Sequence, residues 1–353
     1  MTPAVPEAPV TPAMPTAVEI VGRGLDLNLA ASGAIRRASL YAGAMYLVLL
    51  GPAALIVGLV LARYGVNVFD GLTPGPLGGL AVNLGPAPGA LVIGALATAV
   101  ITLDLQIVAI ALIDTQRSGG RPALRPALGS ARRSFWRLLG AGILSGLILL
   151  VVDALVGNVI GTANSRYSEV KFAARTIVSV IVATPFAYVG SAVVIGRAGP
   201  IAALRWSIRL ARRRWRLAFV VGLVNTATGL LAAFAIGAGA DILGRLAIAL
   251  GLDTASGAVQ VAALGAIVAI GIAAIGSLTL TIAALSVGPQ VVAYLDLGGP
   301  RVSDPVLDVR PPVPGSWNPP PDVVRPVPLV TLGMWIVIAL LALIVAAAVA
   351  QFA

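Results

Sequence analysis

Again and again this chain runs for 20 or more residues with almost no charge. Leu40–Leu61, Leu217–Ala240 and Ala258–Leu295 contain no Asp, Glu, Lys or Arg. In lipid, every backbone N–H and C=O must be satisfied within the chain, and a helix does this without help from neighbours. At 1.5 Å per residue, about 20 residues cross the ~30 Å hydrocarbon layer. Seven such spans are predicted, near 39–62, 89–113, 138–161, 173–196, 217–240, 258–286 and 328–352. The sixth is long enough to tilt or to extend past the bilayer. Only 11% of the residues are charged, against about a quarter in soluble domains. The expected fold class is therefore all-α, a polytopic transmembrane helical bundle of about seven spans.

The charges that do occur are partitioned. Lys171 is the one lysine, so the net charge of +10 is almost wholly arginine. Between spans two and three lie Arg117, Arg121, Arg125, Arg132, Arg133 and Arg137 against Asp114; between four and five lie seven arginines and no acid. The other connections are mixed: Arg63 with Asp70, then Arg166, Glu169, Lys171 and Arg175, then Arg245 with Asp253. By the positive-inside rule the amino terminus and both arginine-rich connections are cytoplasmic and Ala353 is outside, in a cell inner membrane. A soluble chain this basic would suggest nucleic acid. Here the arginines flank spans, so the expected partners are anionic lipid headgroups and a membrane or cytoplasmic protein, not nucleic acid.

Gly196–Arg216 shows how the charge is used. Pro200 suits the first turn of a helix, where its missing N–H costs nothing. After it, Ile201, Leu204, Ile208, Ala211 and Trp215 fall on one side. Arg205, Arg209, Arg212 and Arg216 fall on the other, with Arg213 and Arg214 alongside. An apolar stripe opposite a cationic face describes a helix lying in the membrane interface. Leu25–Arg37 is a weaker version, with Asp26 or Asn28 as its cap.

The pattern recurs. Arginine pairs begin at Arg36, Arg132 and Arg212, each at the edge of a span, with Phe135 and Trp136 or Trp215 following the later two. Each unit reads as interfacial helix, span, outer loop, span. Three units give six spans, and a seventh is added. The expected headgroup contacts are Arg132, Arg133, Arg137, Arg205, Arg209, Arg212, Arg213 and Arg216. Around this core, residues 1–20 read as a disordered Pro/Ala-rich tail and 21–296 as the six-span membrane domain. Residues 297–327 read as a proline-rich cytoplasmic connection and 328–353 as the C-terminal span.

Gly199-Pro200, Ala203-Leu204, Ser207, Leu210 and Trp215, with a fainter copy in Ala127-Leu128, Ala131, Ser134 and Trp136, carry a resemblance. Over roughly 20–296 the chain resembles the membrane domain fused to, or beside, bacterial glycerophosphoryl diester phosphodiesterases, and related bacterial integral membrane proteins. Many relatives have an acid before the Gly-Pro, where this chain has Gly196, Arg197 and Ala198. The resemblance implies a membrane role beside such an enzyme and brings no catalytic residues.

Histidine and cysteine are absent. That removes disulfides, thiolate or imidazole metal sites and catalysis by a histidine base, and no cofactor is expected. Asp104 in the middle of span two, Asp153 in span three and Asp241 at the end of span five are the intramembrane acids. Such carboxylates are costly and face a bundle interior or a watery path. Asp104 and Asp153 mark a possible polar site, read either as a proton, cation or substrate pathway or as a buried interhelical hydrogen bond. The expected function is a membrane scaffold or auxiliary subunit without catalytic machinery. The alternatives are a transporter of a lipid-like or small amphiphilic substrate using Asp104, and an intramembrane enzyme.

Overall fold

The computed structural model describes residues 15–63, 87–161, 168–249 and 258–301, with Ile336, Ile338 and Ala339. Among these residues every regular element is helical. Helix α1 (Ala17–Ala30) begins where Thr16 Oγ1 accepts the Glu19 N–H at 3.3 Å and the Glu19 carboxylate accepts the Thr16 N–H at 2.6 Å. This reciprocal cap satisfies two orphan donors, so the helix starts inside the stretch expected to be tail. The helix expected over 25–37 is divided: Ala31 forms a turn, and α2 (Ser32–Arg63) carries Arg36 and Arg37. Asn28, expected as a cap, is buried within α1.

Next come α3 (Ala87–Arg117) and α4 (Leu124–Gly161). In α4 the predicted interfacial foot and its span are one unbroken 38-residue helix. The fourth span is broken instead, into α5 (Ser168–Ala183), a 3-10 turn (Thr184–Phe186) and α6 (Val189–Val194). The last repeat is α7 (Pro200–Arg213), α8 (Trp215–Ala249) and α9 (Ala258–Asp296). Among the described residues, Ala99–Arg117, Leu124–Val152, Thr176–Val194, Trp215–Leu243 and Gly265–Asp296 are long and apolar enough to cross a bilayer. The chain is a helical membrane protein. The span expected near 328–352 lies outside the described residues, apart from three positions, as does the proline-rich connection beyond Arg301.

The break in the fourth span has a local cause and a local remedy. Pro185 carries no N–H, so the helix cannot run through it unaltered. The hydroxyl of Ser207 on α7 accepts the Tyr188 N–H at 3.1 Å and donates to the Pro185 carbonyl at 2.7 Å. One buried side chain thus satisfies two backbone groups freed by the break, as membrane interiors require.

Packing is concentrated where the arginine-rich segments meet. There α9 lies against α1, α2, α3 and α8, and α3 also packs on α4 and α6. Close approach depends on glycine. A Cβ on Gly24 would stand 2.5 Å from the Pro289 nitrogen, and one on Gly276 would stand 2.7 Å from the Tyr46 ring. Gly142, Gly146 and Gly229, which also suggest close helix packing, meet nothing within 4 Å. Farther along, α4 and α8 present apolar side chains outward: Leu147, Leu150 and Leu155 on one, Leu231, Phe234 and Ile242 on the other, all exposed. In a bilayer this is the surface that acyl chains cover.

The repeat is visible in burial. Ala31, Ile35, Ala38, Ser39 and Ala42 are buried with the same spacing as Ala127, Ala131, Ser134, Phe135 and Leu138. Ala203, Ser207, Leu210 and Ala211 repeat its first four positions. Each foot therefore presents a face of the same spacing to the bundle, with alanine at its first position.

Candidate functional site

The chain reversal ahead of α7 is built for close contact. Arg197 adopts a left-handed conformation (φ 48°), uncommon for a residue with a Cβ. Its carbonyl accepts from Arg137 Nη1 at 3.1 Å. Gly196 beside it has no room for a side chain, because a Cβ there would meet the Tyr294 hydroxyl at 2.6 Å. The turn leads into Gly199-Pro200, with Pro200 at the first helical position as the sequence suggests.

Three strips then run along α7. Ala203, Ser207, Leu210 and Ala211 are buried against the bundle. Ile201, Leu204 and Ile208 form the neighbouring strip, with Ile201 60% exposed. Arg205, Arg209 and Arg212 follow around the 3.6-residue helix, with Arg213 beyond them, all exposed. Ala211 therefore belongs to the protein-facing strip rather than the outer apolar one. The helix also ends sooner than its periodicity implies. Arg214 leaves helical geometry (φ −141°, ψ 70°), and Trp215 and Arg216 open α8. Arg214 turns inward instead, donating to the Pro15 carbonyl at 3.0 Å and tying the start of α1 to the start of α8.

Arginines at this end fall into two groups. Arg23 and Arg117 both hold Asp296, each at 2.7 Å, and Arg117 also donates to the Val292 carbonyl at 3.1 Å. Arg301 lies 3.1 Å from Asp114 and contacts Ser118. Together they bind the middle of α1, the ends of α3 and α9 and the chain beyond α9. In contrast, Arg132, Arg205, Arg209, Arg212, Arg213 and Arg216 make no hydrogen bond or ion pair among the described residues. Arg205, Ile208, Arg209, Arg212 and Arg213 line an open groove of about 510 Å³. Of the expected headgroup contacts, Arg137 is engaged by the Arg197 carbonyl, and Arg133 also has an interaction within the protein. The ion-pair cluster of Arg23, Arg117, Arg301, Asp114 and Asp296 was not foreseen. Its signal was present as two lone acids, Asp114 and Asp296, at the ends of α3 and α9, with Arg117 three residues beyond the first and Arg301 five beyond the second.

The intramembrane acids separate too. Asp104 is 1% exposed, on a stretch of α3 where Ile101, Leu105, Ile107 and Val108 are also buried, within electrostatic reach of Tyr41 on α2. The side chain of Asp153 lies outside the described residues. Asp241 pairs with Arg245 at 2.9 Å, one turn along α8, both exposed; such pairs contribute only ~0.3–0.5 kcal/mol. Arg216 and Asp241 are separated by about 37 Å of helix at 1.5 Å per residue, so charge brackets an apolar length matching a bilayer. Among the described residues no group of three or more His, Cys, Asp or Glu side chains is placed to hold a metal.

Comparison of the chain with family models, with curated proteins and with solved structures gives no match.

Proposed function

We propose that this chain is a bacterial inner-membrane scaffold or auxiliary subunit that gathers anionic lipid through its arginine-rich feet. The arginine-rich end faces the cytoplasm, where the leaflet surface is negative and attracts basic side chains. The observation that carries this reading is the outer surface of α7. Its arginines have no acidic partner among the described residues, where Asp296 and Asp114 are paired with Arg23, Arg117 and Arg301. The exposed Ile201 and the half-buried Ile208 adjoin them, so α7 offers acyl chains and headgroups adjacent surfaces. A protein partner, such as a soluble enzyme acting on glycerophosphodiesters, docks at the same end. The sequence supports no catalytic role for the chain itself.

The test uses the full chain purified with its native lipids. Wild-type protein should retain anionic lipid well above its share of the bulk membrane, as measured by lipid mass spectrometry. Arg205→Gln, Arg209→Gln, Arg212→Gln and Arg216→Gln combined should bring the retained lipid to bulk composition while the protein still folds. Each basic residue near an anionic surface contributes ~1 kcal/mol, and raised salt should weaken the effect. Undiminished enrichment in the fourfold variant would remove α7 from lipid binding.

A further inference from the structure

Arg205, Arg209, Arg212 and Arg213 share one groove with a single apolar side chain, Ile208, and no acid among its lining residues. Its volume falls within the ~300–1,000 Å³ of small-molecule sites, far more than one phosphate group fills. Arg205 and Arg213 stand about 12 Å apart along the axis, and Arg209 and Arg212 lie between them on adjoining rows. A single phosphodiester carries one negative charge and can be forked by one or two guanidinium groups. It would leave the rest of this row mutually repelling and unmatched.

Acids among the described residues do not fill the gap: none lines the groove. Asp296 is held by Arg23 and Arg117, Asp114 by Arg301, and Glu19 accepts the Thr16 N–H. Two anionic groups set close together would complement this exposed row. Ile208 and the exposed Ile201 place apolar surface beside the row, where glycerol and the first methylenes of acyl chains would lie.

Resting on the lipid-contact reading above, we infer that the α7 groove holds one lipid whose headgroup carries two phosphodiesters, as in diphosphatidylglycerol. One phosphate sits between Arg205 and Arg209, the other between Arg212 and Arg213, with the linking glycerol over Ile208. The site therefore discriminates by phosphate spacing as well as by charge.

Full-length protein in phosphatidylcholine nanodiscs is titrated with diphosphatidylglycerol or with phosphatidylglycerol, matched for total phosphate, and bound lipid is counted by native mass spectrometry. Diphosphatidylglycerol should bind at least tenfold more tightly per phosphate. Arg209→Gln with Arg213→Gln should abolish that preference, while Arg245→Gln at the far end of α8 should preserve it. Retained folding of each variant is checked by its melting curve, and Arg209→Lys with Arg213→Lys should recover charge-driven binding but only part of the preference. Equal binding of the two lipids, with both still dependent on the α7 arginines, would overturn the two-phosphate assignment and spare the lipid role. Binding independent of those arginines would overturn both. Displacement of bound lipid by inorganic pyrophosphate at matched phosphate would make the groove a site for soluble phosphates. Displacement by polyglutamate would make it a site for an acidic protein segment. Either result overturns the inference.

Discussion

Ser207→Ala is the sharpest perturbation the fold offers, because one hydroxyl serves two backbone groups at the break in the fourth span. Ser207 and Tyr188 are fully buried, so water cannot replace the lost partner without opening the packing of α7 against the turn. Stranding the Tyr188 N–H costs about 1–3 kcal/mol. The Pro185 carbonyl keeps a second lone pair and loses less. The sum is about 2 kcal/mol, well above the ~0.6 kcal/mol average of side-chain hydrogen bonds between membrane helices. The difference arises because Ser207 satisfies backbone that has no alternative partner, whereas an ordinary interhelical pair finds substitutes in the unfolded reference state. Reversible unfolding in mixed micelles measures it, with Ser130→Ala as control, since Ser130 only reaches the Pro126 carbonyl of its own helix at 3.4 Å. A double-mutant cycle adds a stricter criterion. Pro185→Ala lets α5 continue toward α6, so the cost of Ser207→Ala should shrink in that background. If Ser207→Ala destabilises no more than Ser130→Ala, or its cost is unchanged in the Pro185→Ala background, the hydroxyl does not hold the break together.

Other perturbations follow from the same packing. Asp296→Asn releases both Arg23 and Arg117 and should destabilise by about 1–2 kcal/mol, less in high salt because the pairs are partly exposed, as melting at two ionic strengths would reveal. Gly276→Val drives a side chain into the Tyr46 ring and should cost at least the ~1–3 kcal/mol of an overpacked core, whereas Gly142→Ala, with open space around it, should melt within ~0.5 kcal/mol of wild type. Accessibility reporters at positions 120 and 205 should label from the cytoplasm and those at 75 and 168 from outside; the opposite pattern would invert the proposed orientation.

Much of this molecule is written locally. Uncharged runs such as Leu217–Ala240 can satisfy their own backbone in lipid only as helices, so length and hydropathy alone determine the class of fold. Pro200 after Gly199 sets the start of α7, and Thr16 with Glu19 sets the start of α1, because both signals act within one turn. The burial spacing that repeats through Ala31, Ala127 and Ala203 tracks the arginine pairs in the first two copies, where Arg36 and Arg132 follow five residues on, but Arg212 follows Ala203 by nine. What the sequence alone left open are properties of pairs of segments. Periodicity places Trp215 and Arg216 on the face of α7, but Arg214 reaches Pro15, 199 residues away in the sequence, and the helix breaks there. Periodicity also treats every exposed arginine alike. Only the folded arrangement separates Arg23, Arg117 and Arg301, which find Asp296 and Asp114 on other helices, from the α7 arginines, which find none among the described residues. An amphipathic pattern reports which side of a helix is polar. Whether that polarity is satisfied within the protein depends on which other helix ends arrive beside it, and that is settled only when the bundle closes.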